Sequence, residues 1–479
     1  MRIFLIWADR IHGLEYLISK LEKRSHEVVY WVGLADGNEH KFKGVFHEHF
    51  AAWAGSPAAG VDMSEFQPPN KKLIKKLHEA ESTVLTMMNK RFGHMCADER
   101  RHVYYNMLQY WHGVIKKYKP DIIIFPTLPH TVYNYVIYVL AKLLNIKMVM
   151  FENSEVSDDL LLYKDWKDGS AALQKKIKEN QNKKLTIEDL CPEMQKYYYK
   201  QVNPKIDSTP FYMKYQKKRD SGFGLLKKRF KIAVNSIKDG TIIKKILFFL
   251  IKQFKPNLRK DYLKLQVKPN LEKKFVYVPL HYQPERTSSP QGDVFVDQIL
   301  MIETIAAGLP GGWIVYVKEH PSQWWLKTGI NYSSCRYPGY YDRIAKLKNV
   351  FLVPIFTDTY SLINKSQAVI TLTGTACWEA LMRSKPVIVF GFPWYRDCPA
   401  LFRADSTETC RQALEKIKNG YRVNSQDIIN FLKSLDEVAV KGYFEEPNPK
   451  SKITPEQSKS NIVQAIIAEV EKKDKAVFN

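Results

Sequence analysis

Residues 368–392 read AVITLTGTACWEALMRSKPVIVFGF. Two apolar, β-branched runs, Ala368 to Leu372 and Pro386 to Phe390, flank a helix-forming stretch from Thr375 to Arg383. The pattern is strand, tight turn, helix, strand. Thr371, Thr373, Gly374 and Thr375 stand where the first strand hands over to the helix. Hydroxyls, a glycine and the unsatisfied N–H groups of a helix start together make a seat for a phosphate. Glu379 lies one helical turn further on, where a carboxylate reaches the ribose of a nucleotide whose phosphate rests on the turn. The same residues also suit an ordinary crossover in which Thr375 merely caps the helix.

Working outward, the same alternation continues on both sides. Strands are expected at Phe275 to Leu280, Trp313 to Lys318 and Val350 to Val353, with helices at Phe295 to Gly308, Tyr340 to Leu347 and Thr359 to Lys365. This is a doubly wound parallel sheet beginning near Lys273. The amino-terminal half repeats the plan more loosely. Arg2 to Ala8, Glu27 to Val32, the IIIFPT run after Pro120 and the segment KMVMFEN read as strands, and Leu14 to Lys23 and Thr131 to Leu144 as helices. Val45 to Asn70 reads as loop, Lys71 to Lys119 as helical with a break near Gly93, and Asp158 to Pro204 as polar and helical. The first turn, ADRIHG, lacks G-x-G-x-x-G, so a nicotinamide or flavin fingerprint is absent. Asp9, Arg10 and His12 nevertheless stand at the carboxyl end of the first strand, where α/β sheets take ligands. The expected fold class is therefore α/β and GT-B-like: two Rossmann-like domains with a central cleft and a basic helical insertion. The expected divisions are 1–190, a linker at 191–272, 273–440, and a tail at 441–479 whose helix, Pro455 to Lys473, packs back on the first domain.

Composition narrows the partners. The chain has 479 residues, 45% of them hydrophobic, with a net charge of +23. Such a charge points to anionic partners: nucleic acid, acidic lipid, or phosphorylated and acidic substrates. Six scattered cysteines without a C-x-x-C pair fit a reducing compartment rather than a zinc or disulfide scaffold. His47-Glu48-His49 lacks a third nearby ligand, and no metal or other cofactor is expected. The chain opens directly on an apolar strand without a leader, and no apolar run reaches the ~20 residues that span a bilayer. A cytoplasmic location follows.

Phe223 to Lys260 breaks the composition, with Asp239 as its only acid among crowded lysines and apolar clusters. Two basic amphipathic helices hinged at Gly240 fit it, with Ile242, Ile246, Phe249 and Leu250 on one stripe beside Lys244, Lys245 and Lys252. Helices of this kind lie on anionic membrane surfaces, here the inner face of the cytoplasmic membrane. Packing of the apolar face on the protein is the alternative. No helix-turn-helix, zinc finger or aromatic RNA-binding signature accompanies the charge, so nucleic acid is not expected as a partner.

Two further constellations accompany the turn. In YVKEHPSQ, Lys318 and His320 stand at a strand end where they neutralise a phosphate, and His320 is also suited to protonate a departing one. In YVPLHYQPERTSSPQGD, His281, Gln283, Glu285 and the Thr287-Ser288-Ser289 run follow the domain's first strand and suit contacts with a sugar ring. Glycosyl transfer needs a carboxylate near the anomeric carbon and cationic help for the leaving phosphate. Glu152, Glu155 and Asp158 from the first domain and Glu285 from the second are the candidates, with Glu152 favoured. No metal is needed where basic groups and helix ends do this work.

The segments PLHYQPE, VKEHP and TLTGTACWEAL resemble the capsule polysaccharide biosynthesis family of GT-B-like glycosyltransferases, best over about residues 274–400. The first half matches in the order of its elements and in the FEN segment around Glu152. The family includes transferases that use CMP-activated Kdo, an acidic eight-carbon sugar. The His-Pro pair and hydroxyl-rich turn also look like the CMP-binding pair of bacterial sialyltransferases. By that likeness His320 and Thr373 or Thr375 hold the CMP phosphate and Glu379 contacts ribose. The resemblance thus implies a CMP-sugar donor and a polysaccharide or glycolipid acceptor of a bacterial surface polysaccharide. The alternatives are a CDP-polyol phosphotransferase of teichoic-acid type and a GT-B glycosyltransferase that uses a UDP-sugar.

Overall fold

The computed structural model describes residues 1–7, 14–35, 42–156, 158–203, 222–238, 240–243, 247, 257–324, 335–444 and 451–472. Asp9, Arg10, His12, Lys244, Lys245, Ile246, Phe249, Leu250 and Lys252 lie outside the described residues.

The first half opens with β1 (Arg2–Ile6), α1 (Leu14–Glu22), β2 (Glu27–Gly33) and β3 (Val45–Glu48). Four helices follow: α2 (His49–Ala54), α3 (Lys71–Lys76), α4 (His78–Met87) and α5 (Ala97–Tyr118). The half continues with β4 (Ile122–Ile124), α6 (Val132–Leu143), β5 (Lys147–Asn153) and β6 (Asp159–Tyr163). Strands β3-β2-β1-β4-β5 are parallel in that order, and β6 adds on antiparallel to β5. Unbroken β-branched runs such as Ile122–Ile124 are what a parallel sheet covered on both faces requires. Val45 to Glu48, expected as loop, is the edge strand β3. Its buried His47 sits between Tyr30 Oη at 2.8 Å and Ser56 O at 2.9 Å. Likewise the expected helical segment after Asp158 begins as β6, where LLLY pairs antiparallel along the edge of β5.

Helices α7 (Ala171–Asn180) and α8 (Pro192–Val202) then leave the first sheet. They are followed by α9 (Gly222–Lys238) and α10 (Leu258–Leu265). Gly240, just past α9, takes the left-handed φ of 68° expected of a hinge glycine.

The second half is β7 (Phe275–Pro279), α11 (Gln298–Ala307), β8 (Ile314–Lys318), α12 (Tyr340–Ala345), β9 (Val350–Leu352) and α13 (Thr359–Lys365), then β10 (Ala368–Thr371), α14 (Thr375–Met382), β11 (Val387–Val389) and β12 (Phe402–Arg403). Its order, β12-β11-β10-β7-β8-β9, is parallel throughout. The winding reverses between β7 and β10, and in the first sheet between β1 and β4. Such switch points leave a crevice at the carboxyl ends of the strands, where α/β proteins take ligands.

The chain then crosses back. After α15 (Thr407–Lys418) and α16 (Ser425–Val438), the two-residue β13 (Val440–Lys441) pairs antiparallel with β6 of the first sheet. Helix α17 (Pro455–Glu471) starts from Thr454, whose Oγ1 accepts from Gln457 N at 3.2 Å. It buries Ile462, Val463, Ile466 and Val470 against Ile3, Leu5, Trp7 and Leu17. Each such side chain contributes on the order of 1.5–3 kcal/mol. In the other direction α7 and α8 dock on the second half. Asn430 Nδ2 donates to Asn180 O at 2.9 Å, and Trp378 Nε1 to Tyr197 Oη at 2.8 Å. The two halves are thus two Rossmann-like sheets in a GT-B-like plan, clasped by exchanged helices.

Candidate active site

The loop after β7 and the turn after β10 meet at the second switch point. His281 is buried there, with Nε2 accepting from Thr373 N at 3.2 Å and Nδ1 3.4 Å from Thr371 Oγ1. The first bond makes Nε2 the acceptor, so the proton of the neutral ring sits on Nδ1. Burial pushes the imidazole pKa down to about 3, helped by the nearby His320 and Arg336. Thr373 Oγ1 donates to Thr287 O at 2.7 Å. A Cβ on Gly374 would meet Thr371 Oγ1 at 3.0 Å and His281 Nε2 at 3.3 Å, which is why a glycine stands there. No side chain caps α14, and Gly374, Thr375 and Ala376 at its start are half-buried. The result is a rigid turn whose helix N–H groups and Thr375 hydroxyl remain for a ligand.

His281 and Gln283, expected as sugar contacts, turn into the protein. Both side chains are buried and their polar atoms are bonded within the protein. Gln283 Nε2 donates to Val296 O at 2.9 Å, while its Oε1 accepts from Gln298 Nε2 at 2.8 Å and from Arg336. The two residues brace the turn and its loop.

The strand end carrying Lys318, Glu319 and His320 lies next to them. Glu319 turns inward to a fully buried Arg336, with Nε–Oε2 at 2.8 Å and Nη2–Oε1 at 3.1 Å. Tyr341 Oη adds 2.6 Å to Oε2. Arg336 also donates to His281 O at 3.0 Å, so one guanidinium ties the two ligand-end loops after β7 and β8 together. Strand alternation sends Lys318 to the opposite face from Glu319. Its ammonium donates to Thr357 O at 3.0 Å and Thr359 Oγ1 at 2.6 Å, which leaves one of three N–H donors. Burial pushes its pKa down to about 8 against the opposing charges of Asp358 and Glu379. Glu379 is buried on α14 on the side toward Lys318. His320 is half-buried, and its Nδ1 accepts from Ser322 N at 3.2 Å, so Nε2 carries the proton of the neutral ring.

The first sheet faces this site with its own carboxyl ends. Arg286, from the loop after β7, donates to Thr127 Oγ1 at 2.7 Å just beyond β4, and lies 3.3 Å from Glu152 Oε2 at the end of β5. Gln291 Nε2 is 3.4 Å from Glu152 Oε1. Burial pushes the Glu152 carboxyl above the usual carboxylate range, against the pull of Arg286, Gln291 and Arg396. Glu152 therefore sits as a buried tie between the two sheets. Glu155 is exposed, and Asp158 is buried in front of β6. Glu285 is exposed and lies within electrostatic range of Lys90 of the first half. Arg286 and Gln291 follow PLHYQPE and Arg396 lies within FPWYRD, whereas nothing in the sequence around Arg336 marks it.

Residues 270–419 match the family of capsule polysaccharide biosynthesis proteins. No curated protein matches the sequence. Among solved structures, the chain is similar to the KpsC β-Kdo 2,7 transferase of Thermosulfurimonas dismutans, at 12% identity over 75% of this chain and 89% of that one, with a TM-score of 0.29. It is also similar to a UDP-GlcNAc 2-epimerase of Neisseria meningitidis, at 11% identity over 98% and 100% with a TM-score of 0.24. A third is the glycosyltransferase SnogD of Streptomyces nogalater, at 10% identity over 97% and 99% with a TM-score of 0.22. The strand orders, rather than these superpositions, carry the fold.

Proposed function

We propose that this chain, whose residues 270–419 match the capsule polysaccharide biosynthesis family, is a glycosyltransferase of bacterial surface polysaccharide synthesis. The donor is a CMP-activated acidic sugar, Kdo or a relative, and the acceptor an oligosaccharide or lipid-linked glycan. One observation supports this above the others: an uncapped helix start and a braced hydroxyl turn after β10 stand one strand, β7, away from the strand end that carries His320, at the switch point of a parallel sheet. The donor phosphate rests on the N–H groups of α14 and on Thr375, and Nε2–H of His320 takes up charge as CMP departs. Lys318 offers its remaining donor, and Glu379 reaches the ribose. Between the candidate carboxylates, exposure now favours Glu285 over Glu152 as the group that meets the sugar or the acceptor hydroxyl. The reaction needs no metal, so activity should persist in EDTA.

The enzyme works against the membrane. On α9, Leu226, Phe230 and Ile237 are exposed at helical spacing, each followed directly by an exposed lysine, Lys227, Lys231 and Lys238, and Ile243 and Leu247 are exposed beyond Gly240. Among the described residues no helix is long and apolar enough to cross a bilayer. An amphipathic basic helix instead lies in the headgroup layer and holds the cleft near a lipid-linked acceptor.

Product analysis tests the assignment. Incubation with CMP-Kdo, CMP-sialic acid and a set of UDP-sugars, with an oligosaccharide acceptor, should give a new glycosidic linkage and free CMP from one CMP-sugar only. Glu285→Gln should lower turnover at least a hundredfold with little change in CMP affinity. A phosphodiester product, or turnover of UDP-sugars alone, would refute the CMP-glycosyl reading.

A further inference from the structure

The first half carries a second group of side chains around the cleft that the nucleotide site does not use. Trp53 on α2 is stacked by two consecutive cations from the turn after α4, Lys90 at 5.5 Å and Arg91 at 5.4 Å from the ring centroid. His49, at the start of α2, lies tilted by 59° to the same ring at 5.5 Å and holds its Nδ1 2.8 Å from Tyr133 Oη. His130, beyond β4, donates Nδ1–H to Leu128 O at 2.8 Å, and feels the charges of Arg286 and Lys90. Among the described residues neither Lys90 nor Arg91 forms an ion pair. The nearby acid on their own side, Glu48, is committed to the start of α2, accepting from Ala51 N at 2.7 Å. Glu285 faces Lys90 from the other lobe.

Two adjacent cations held on an indole face, with no carboxylate in ion-pair contact among the described residues, form a preorganised anion site. The Trp53 ring fixes the direction of both head groups, so an incoming anion does not have to order two long side chains. An aromatic face beside cations also suits a sugar ring whose substituent is charged. The position matters as well. This rim belongs to the lobe opposite the nucleotide turn and faces Glu285 and Arg286, where an acceptor must approach the donor.

We propose that the rim of His49, Trp53, Lys90, Arg91 and His130, closed by Arg286, binds an anionic group on the acceptor glycan, a sugar carboxylate or a phosphodiester. The inference rests on the transferase reading, and its test is separable from it. The full-length protein is titrated by calorimetry with three probes: a glucuronate-containing tetrasaccharide, its carboxyl-reduced neutral counterpart, and a tetramer of glycerol phosphate. A parallel titration with CMP reports the nucleotide site in the same samples. Wild-type protein should bind at least one charged probe tenfold or more tightly than the neutral one; whichever probe binds tighter identifies carboxylate or phosphate as the group recognised. The double variant Lys90→Gln, Arg91→Gln should lose that preference and keep its CMP affinity.

Helix α3 supplies the control. Lys71, Lys72, Lys75 and Lys76 are exposed together around a hollow of about 460 Å³, outside the rim. Changing all four to Gln should leave the charged-probe affinity within twofold. Equal losses in the two variants would mean diffuse attraction to a basic surface and overturn the proposal. So would wild-type protein that binds charged and neutral tetrasaccharides alike, or neither. Failure to bind CMP with the charged preference intact would refute the nucleotide reading and leave the rim standing.

Discussion

Glu319 stands between the two residues that the sequence singles out, Lys318 and His320, and its carboxylate never reaches solvent. Its partner Arg336 is fully buried too, and the pair holds the loops after β7 and β8 in place through His281 O and Gln283. Removing one member of such a pair leaves an uncompensated buried charge. Arg336→Ala should therefore destabilise the protein by about 3–5 kcal/mol in denaturant unfolding. A loss near zero would show that the loops do not depend on it. The buried imidazoles make a second prediction. His281 and His47 are held neutral, with pKa values pushed down to about 3 and about 4 by burial. The unfolded chain protonates them near the ordinary 6.5, so their contribution is complete above that pH and is lost as pH falls toward 4. Each contributes a slope of about 1.4 kcal/mol per pH unit in that window. Asp159 is pushed up to about 6 by burial, against the pull of Lys441, and works in the opposite direction over the same window. His47→Gln isolates the histidine term: the variant should lose less stability than wild type between pH 7 and pH 5. An unchanged pH dependence would contradict the neutral assignment.

At the scale of elements, the strands that build the switch points were legible because each is a short apolar run rich in β-branched and aromatic residues between turn residues. Phe275 to Pro279 and Ala368 to Thr371 are examples. The strands that were missed are short and define edges. Val45 to Glu48 has no clear alternation, and Val440–Lys441 is specified by its partner Leu160 rather than by its own residues. The site divides similarly. The turn and the His-Pro loop could be read from residue type and order, but the sequence could not say which polar residues face inward. His281 and Gln283 have the chemistry of sugar contacts and are consumed by bonds inside the protein. The Arg286–Glu152 and Lys90–Trp53 contacts join residues far apart in the chain, and local pattern carries no trace of them. Helix α9 was legible from its crowded lysines and apolar clusters, while most of the expected stripe, Ile246, Phe249 and Leu250, lies outside the described residues; the exposed stripe of α9 itself yields a direct prediction. Leu226, Phe230 and Ile237 changed together to Ser should abolish flotation with anionic liposomes while turnover of a short, water-soluble acceptor persists. Continued flotation would remove this stripe from the membrane contact.

Across the whole molecule, two sheets present their carboxyl ends to one cleft, and exchanged helices hold them there. Strand β13 and helix α17 return from the second half to the first, while α7 and α8 pack the other way. Arg286 and Gln291 span the cleft to Thr127 and Glu152. The arrangement puts the turn after β10 on one lobe and the cationic, aromatic rim on the other, so that under the proposed function donor and acceptor approach Glu285 from opposite sides. All of this depends on a nucleotide seated where β7 and β10 diverge. The most direct test is a calorimetric titration of CMP into wild-type protein and His320→Ala. The account predicts one CMP per chain for the wild type, and an affinity lower by about 1.5–3 kcal/mol for the variant, the loss of a charge-assisted hydrogen bond. Wild-type protein that does not bind CMP, or a variant that binds it equally well, would contradict it.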